Sequence, residues 1–104
     1  MSISVRLSEK RRLDTIAKIQ AYYKTLPVPF EVWNDRGFKQ RSYARTAVTM
    51  VIDEVKNSSL PPELIVSQFI RRMDDYSTRN KANSFMFSVL HDTAQDLYDY
   101  VFLS

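Results

Sequence analysis

The sequence predicts a mainly α-helical protein that opens with a short β-strand, and two observations support this prediction. The chain has 104 residues but a single glycine, and tight β-hairpins favour glycine at positive φ, so a β-sandwich or barrel is nearly excluded. From residue 9 onward, apolar residues recur at the spacing of amphipathic helices. The favoured fold is a strand followed by four helices, and the alternative is an all-α four-helix bundle.

The predicted strand covers residues 2–8, where apolar Ile3, Val5 and Leu7 alternate with polar residues. A lone strand leaves its backbone donors and acceptors unpaired, and the sequence offers no second strand to pair with it. The simplest arrangement pairs the strand with its counterpart in a second copy across a two-fold axis. We therefore expect an obligate homodimer, or a higher oligomer built from it.

Four helices are predicted after the strand. Ser8 is a good N-cap for a first helix over residues 9–25, and Pro27 and Pro29 end that helix. A loop is expected over residues 27–40. The remaining helices are predicted over residues 41–56, 61–76 and 83–102. The last one is apolar on more than one side, so it requires more than one packing partner.

Charge divides the chain into two regions. Residues 1–45 carry ten basic and four acidic side chains, a net charge of +6, whereas residues 46–104 carry a net charge of −3. Such asymmetry is typical of a polyanion-binding end joined to a partner-binding end, although solvated faces or pairing between the halves would also explain it. We interpret residues 1–57 as a DNA-binding region and residues 58–104 as a helical hairpin for assembly or for binding a protein partner.

The N-terminal half contains a series of segments in a characteristic order. They are Ser4-Val5-Arg6-Leu7-Ser8, Leu13-Asp14, Ile16-Ala17-Lys18, Gly37 and Arg41-Ser42-Tyr43-Ala44-Arg45-Thr46-Ala47. This order resembles the ribbon-helix-helix family of dimeric DNA-binding proteins, with an insertion between the two helices. The resemblance implies a small homodimeric DNA-binding protein, either a transcriptional repressor or a mobile-element accessory factor. The alternative is a helical bundle that binds another protein and no DNA.

The resemblance also implies a set of DNA contacts. The ribbon would lie in the major groove, with Arg6 as the chief base-reading residue and Ser2 and Ser4 beside it. Phosphate contacts would come from the start of the second helix and from the basic run of the first. These residues are Lys10, Arg11, Arg12, Arg41, Ser42 and Tyr43. Each basic residue could equally be part of a solvated helix face.

Enzymatic chemistry is not expected from this sequence. The chain has no cysteine and one histidine, and it lacks a nucleophile-elbow pattern and a glycine-rich phosphate loop. Asp92, Asp96 and Asp99 share a helix face beside His91, and we interpret them as a solvated face or docking site, so no metal and no cofactor are expected. Without an apolar run of about 18 residues or a signal-peptide pattern, a cytoplasmic location without membrane contact is expected.

Overall fold

The computed structural model describes residues 3–29 and 34–103, and most of these residues are helical. Side chains are described from residue 8 onward. The four α-helices are α1 (Ile3–Thr25), α2 (Asp35–Lys56), α3 (Pro62–Arg79) and α4 (Ser84–Tyr98). A short 3₁₀ turn over Lys81–Asn83 precedes α4, and a π-helical turn over Asp99–Leu103 extends it. The described residues contain no strand, so the mainly α-helical class is confirmed in its all-α form.

The N-terminal strand is wrong, because α1 begins at Ile3 and runs through Ser8 without interruption. The alternation in residues 2–8 spans few residues and is followed directly by a long helical pattern. A helix pairs the carbonyls of this segment with N–H groups later in α1 and leaves only its first N–H groups without a helical acceptor, whereas a strand needs a second strand to pair either kind of group. Ser8 therefore lies inside a helix and is not an N-cap.

Helix α2 begins six residues earlier than the predicted start at residue 41. The side chain of Asn34 caps it: Oδ1 accepts a hydrogen bond from the backbone N–H of Gly37 at 2.6 Å. Asp35 places a negative charge in the first turn, where the helix dipole favours it. Gly37 therefore lies in the first turn of a helix, without a positive φ, and the predicted loop over residues 27–40 is too long. Residues 30–33 of that loop lie outside the described residues.

The boundaries of α3 and α4 are close to the predicted ones. Pro61 and Pro62 stand at the start of α3, where backbone donors lack helical partners. Helix α4 ends as an α-helix at Tyr98, and the predicted end near residue 102 falls within the π-helical turn.

Helix α4 lies at the centre of the fold, where it packs against α3 and α2, while its π-helical turn contacts α1. This confirms that the last helix requires several packing partners. The side chains with no solvent exposure come from all four helices: Ile19, Val48, Val51, Val55, Val66, Phe69 and Leu97. One core therefore joins residues 1–57 with residues 58–104. Burial of each large apolar side chain contributes about 1.5–3 kcal/mol, so this shared core stabilises both halves.

Candidate interaction surface of the first two helices

Arg12 joins α1 to the end of α2. Its Nη1 donates to the carbonyl oxygen of Val55 at 2.7 Å, and its Nη2 donates to the carbonyl oxygen of Leu60 at 3.1 Å. The last carbonyls of a helix have no helical donor, so the guanidinium satisfies one of them and offsets the negative end of the helix dipole. The structure thus gives Arg12, expected to contact phosphate, a position within the bundle.

Two arginines of α2 make the matching connection at the other end of α1. Arg41 donates to the carbonyl oxygen of Val28 at 3.0 Å, and Arg45 donates to that of Leu26 at 3.5 Å. The Arg45 guanidinium also lies 4.4 Å from the centre of the Tyr23 ring. Because the start of α2 meets the end of α1, and the end of α2 meets Arg12, the two helices are antiparallel.

The other residues expected to bind phosphate lie in different surroundings. Ser42 is half-buried, and Tyr43 packs edge-on against Phe85 with 6.1 Å between the ring centres. Lys10 and Arg11 are exposed, and Arg11 forms an ion pair with Glu63. The six residues therefore fall into two groups separated by roughly 20 Å along α1, at a rise of about 1.5 Å per residue.

The residues expected to read bases are Ser2, Ser4 and Arg6. Ser2 lies outside the described residues, and Ser4 and Arg6 lie in the first turns of α1. The proposed base contacts therefore remain predictions.

A groove with a volume of about 440 Å³ lies between α1 and α2 and is open to solvent. Tyr23 and Ile52 form its apolar floor, and both side chains are half-buried against the core. Lys24 of α1 and Lys56 of α2 line the same cavity and are exposed. Gln20, Thr49 and Asp53 complete the lining. We call this surface the α1–α2 groove.

The outer surface of α1 beside the groove carries apolar residues that helical spacing alone would place in the core. Leu13, Ile16 and Ala17 recur at this spacing, and Ile16 is buried. Leu13 is 66% exposed, and Ala17 is exposed as well. Leu60 and Leu64 are also more than 40% exposed, and the contact between Arg12 and Leu60 places them at the same end of the bundle as Leu13.

A second cavity of about 450 Å³ lies between α1, the start of α3 and the π-helical turn. Three cations line it (Lys10, Arg11 and Lys18), together with the carboxylates of Asp14 and Glu63. The ion pair between Arg11 and Glu63 neutralises part of this charge. The mixture of signs makes this cavity a weaker binding surface for an anion than its three cations alone would suggest.

On the acidic face of α4, the side chain of His91 lies beside that of Asp92. His91 Nδ1 lies 3.0 Å from Asp92 Oδ1, and the Asp92 side chain is 80% exposed. Among the described residues, no three histidine, aspartate or glutamate side chains are grouped so that they could hold a metal ion.

Burial raises the pKa of Tyr22 to about 12, and the nearby charge of Asp96 contributes to the increase. The hydroxyl of Tyr22 donates to the carbonyl oxygen of Thr93 at 3.5 Å.

Sequence reasoning did not identify the α1–α2 groove. Tyr23 and Ile52 carry the ordinary signal of apolar stripe residues, and only the packing of α1 on α2 leaves them partly accessible. The described helices include none that is long and apolar enough to cross a membrane. The cytoplasmic location remains a prediction.

Comparison with known proteins finds no matching family model, no similar curated protein and no similar solved structure. The fold alone defines the class of this protein as an all-α four-helix protein over its described residues.

Proposed function

We propose that this protein is a non-enzymatic helical bundle that binds a protein partner on the face formed by α1 and α2. The α1–α2 groove is the observation that carries the proposal. Its floor is apolar at Tyr23 and Ile52, its rim is charged at Lys24 and Lys56, and it is open to solvent. A groove between antiparallel helices with this distribution is a common docking surface for a partner segment.

The first turns of the chain favour this proposal over the ribbon-helix-helix interpretation. A helical start at Ile3 uses the backbone groups that a shared ribbon would pair between two copies. In addition, Arg12 and Arg41 donate to backbone carbonyls of the bundle. A phosphate that took either guanidinium would compete with these hydrogen bonds.

DNA binding by a homodimer is the second candidate, and the charge asymmetry of the chain favours it. Residues 1–45 carry a net charge of +6, and Lys10, Arg11 and Lys18 are exposed on α1. Exposed cations attract duplex DNA without regard to sequence, and the attraction falls steeply with salt. A repressor or mobile-element accessory factor is the form that this second candidate takes.

A site-specific photo-crosslinker distinguishes the two candidates. It is placed at Thr49, which is exposed in the groove, and in a matched variant at Thr78, which is exposed on α3. The proposal expects a defined protein adduct in the source cells from position 49 and none from position 78. A second variant carries the crosslinker at position 49 together with Ile52→Asp. This variant should retain its helicity, and the adduct should disappear.

The same purified protein is titrated with random duplex DNA at about 50 and 200 mM salt while its mass is measured by light scattering. A monomer that leaves DNA unbound agrees with the interaction module. A dimer whose affinity for duplex falls about a thousandfold over this range, as expected for about six phosphate contacts, would establish the second candidate instead.

A further inference from the structure

The floor of the α1–α2 groove is held in place from within the bundle. The Arg45 guanidinium lies 4.4 Å from the centre of the Tyr23 ring, and it also donates to the carbonyl oxygen of Leu26. Tyr23 therefore presents a fixed aromatic surface to the groove. Beside it, Ile52 is packed against the core and keeps part of its side chain accessible. This floor suits one large apolar side chain of a partner.

Two lysines flank this floor from opposite walls. Lys24 lies near the end of α1 and Lys56 near the end of α2, and both line the cavity. Side chains of a helix lean toward its N-terminus, so in an antiparallel pair these two lean toward the middle of the groove. Asp53 supplies one opposing charge, which leaves the groove with a net charge of +1. The complementary occupant is apolar at its centre and acidic on either side.

The extent of the groove fits a short stretch of helix as the occupant. Its lining runs from Gln20 to Lys24 on α1 and from Thr49 to Lys56 on α2. At a rise of about 1.5 Å per residue, the longer of these stretches is roughly 10 Å, which equals about two helical turns. An amphipathic helix that presents about two turns of its apolar face therefore matches the groove.

Pairing of α1 with the α1 of a second copy is unfavourable at Lys24, one of the two groove lysines. Antiparallel pairing of α1 with itself, centred on Ala17, would place Lys10 of one copy opposite Lys24 of the other. Parallel pairing would place each lysine opposite its own counterpart. Like charges opposed in this way destabilise a helix pair.

We propose that the α1–α2 groove binds an acidic amphipathic helix of a partner protein, an inference that rests on the proposed function. An apolar side chain of this helix contacts Tyr23 and Ile52. Carboxylates on either side of it pair with Lys24 and Lys56. Asp53 sets the orientation of the helix by accepting a basic side chain at one end only.

Fluorescently labelled helical peptides of about 16 residues test this inference. One peptide carries leucines on one face with flanking glutamates, and a second has lysines in place of the glutamates. The full-length protein should bind the acidic peptide at least about tenfold more tightly, because two favourable rim pairs replace two repulsive ones. The preference should weaken as salt rises.

Two variants locate the binding surface. The double variant Lys24→Glu with Lys56→Glu should reverse the preference between the peptides, while the matched double variant Lys18→Glu with Lys81→Glu should retain it. The control residues are exposed and lie outside the groove. Thr49→Trp fills the groove from an exposed position and should abolish binding of the acidic peptide with no loss of helicity.

Each opposing outcome identifies a different error. Equal binding of both peptides, or a preference that the groove variant leaves unchanged, would overturn the inference. The inference would also be overturned if neither peptide binds but the fatty acid dodecanoate does, because the occupant would then be a lipid chain. It would be overturned as well if the protein dimerises through the groove. If peptides fail while the crosslinked adduct at Thr49 persists, the inference is wrong and the proposed function stands. If the adduct is also absent, both are wrong.

Discussion

The Arg12 guanidinium donates to the carbonyl oxygen of Val55, 43 positions later in the chain, at 2.7 Å. It makes a second bond to Leu60 at 3.1 Å, so one side chain of α1 holds both the end of α2 and the connection to α3. A residue from a basic run that resembles a nucleic-acid contact thus has a role in the fold. The structure predicts that its removal costs stability.

Arg12→Ala should lower the free energy of unfolding by about 1–3 kcal/mol, because the carbonyl of Val55 in a partly buried position loses a charged donor. Arg11→Ala is the matched control. Arg11 is exposed and pairs with Glu63 at the surface, so its loss should cost about 1 kcal/mol or less. Urea unfolding measures both. If both substitutions change the free energy of unfolding by equally small amounts, Arg12 does not stabilise the fold and belongs to a solvated helix face.

Asn34→Ala should lower the free energy of unfolding by about 0.5–2 kcal/mol, since its side chain accepts the N–H of Gly37 at the start of α2. The matched control is Asn83→Ala. Asn83 precedes α4 in the same way but makes no capping hydrogen bond with its side chain. Thermal unfolding should show a lower midpoint for the first variant alone. A larger loss from Asn83→Ala would contradict the assigned start of α2.

Val5→Pro distinguishes a helical start from a shared ribbon. Residue 5 lies in the first turn of α1, where the backbone N–H has no helical acceptor, so proline should be tolerated. Ala17→Pro, at an exposed position in the middle of α1, should cost about 3 kcal/mol or more. Circular dichroism and light scattering should show little change for Val5→Pro. If Val5→Pro instead dissociates a dimer, the interpretation of residues 2–8 as a shared ribbon would be supported.

Alkaline pH should destabilise the protein through Tyr22, whose pKa is raised to about 12 from 10.0. Below pH 10 its hydroxyl is protonated in both the folded and the unfolded chain. As the pH rises from 10 toward 12, the unfolded chain releases this proton while the folded chain retains it, so unfolding becomes more favourable. Tyr22→Phe should make the decline of the urea midpoint less steep over this range. Tyr76→Phe, at an exposed tyrosine, is the control. An unchanged decline in Tyr22→Phe would show that Tyr22 is not buried.

Truncation after Asn57 should leave an unfolded chain. Val48, Val51 and Val55 of α2 are fully buried in a core that also contains Phe69 and Leu97. Without α3 and α4, these valines lose most of their packing, and each buried side chain contributes about 1.5–3 kcal/mol. The loss of helicity should be visible by circular dichroism. A cooperatively folded fragment would show that residues 1–57 are an independent module.

The sequence predicted the helices well where their ends carry strong local signals. Pro61 and Pro62 mark the start of α3, and Asn57 follows the end of α2, where its backbone N–H bonds to Asp53. The start of α2 carries an ordinary capping signal at Asn34 and Asp35, but the expected loop over residues 27–40 extends past it, because the glycine at position 37 is also typical of a turn. The predicted strand was wrong because an alternation of apolar and polar residues over only seven positions is weak evidence for a strand. When the residues that follow have helical spacing, the helix extends back through such a short segment.

The groove depends on information that is absent from any single segment. Tyr23 and Ile52 belong to apolar stripes, and such stripes are normally buried. Their accessibility depends on the register of α1 on α2, which Arg12 and Arg45 determine through bonds to distant carbonyls. The basic character of the N-terminal half follows from its net charge. Net charge alone does not distinguish the arginines that hold the helices together from the lysines that face solvent.

The central position of α4 has a consequence for how the chain is made. Helices α1 and α2 are complete in the growing polypeptide once Lys56 is added, yet the helix on which their apolar faces close is finished only at Tyr98. At a synthesis rate of about 5–20 residues per second, roughly 2 to 8 s separate these two moments. During that interval the valines of α2 have no central helix to cover them. The core therefore cannot close until the C-terminal part of the chain is made, although the two helices that it covers are already complete.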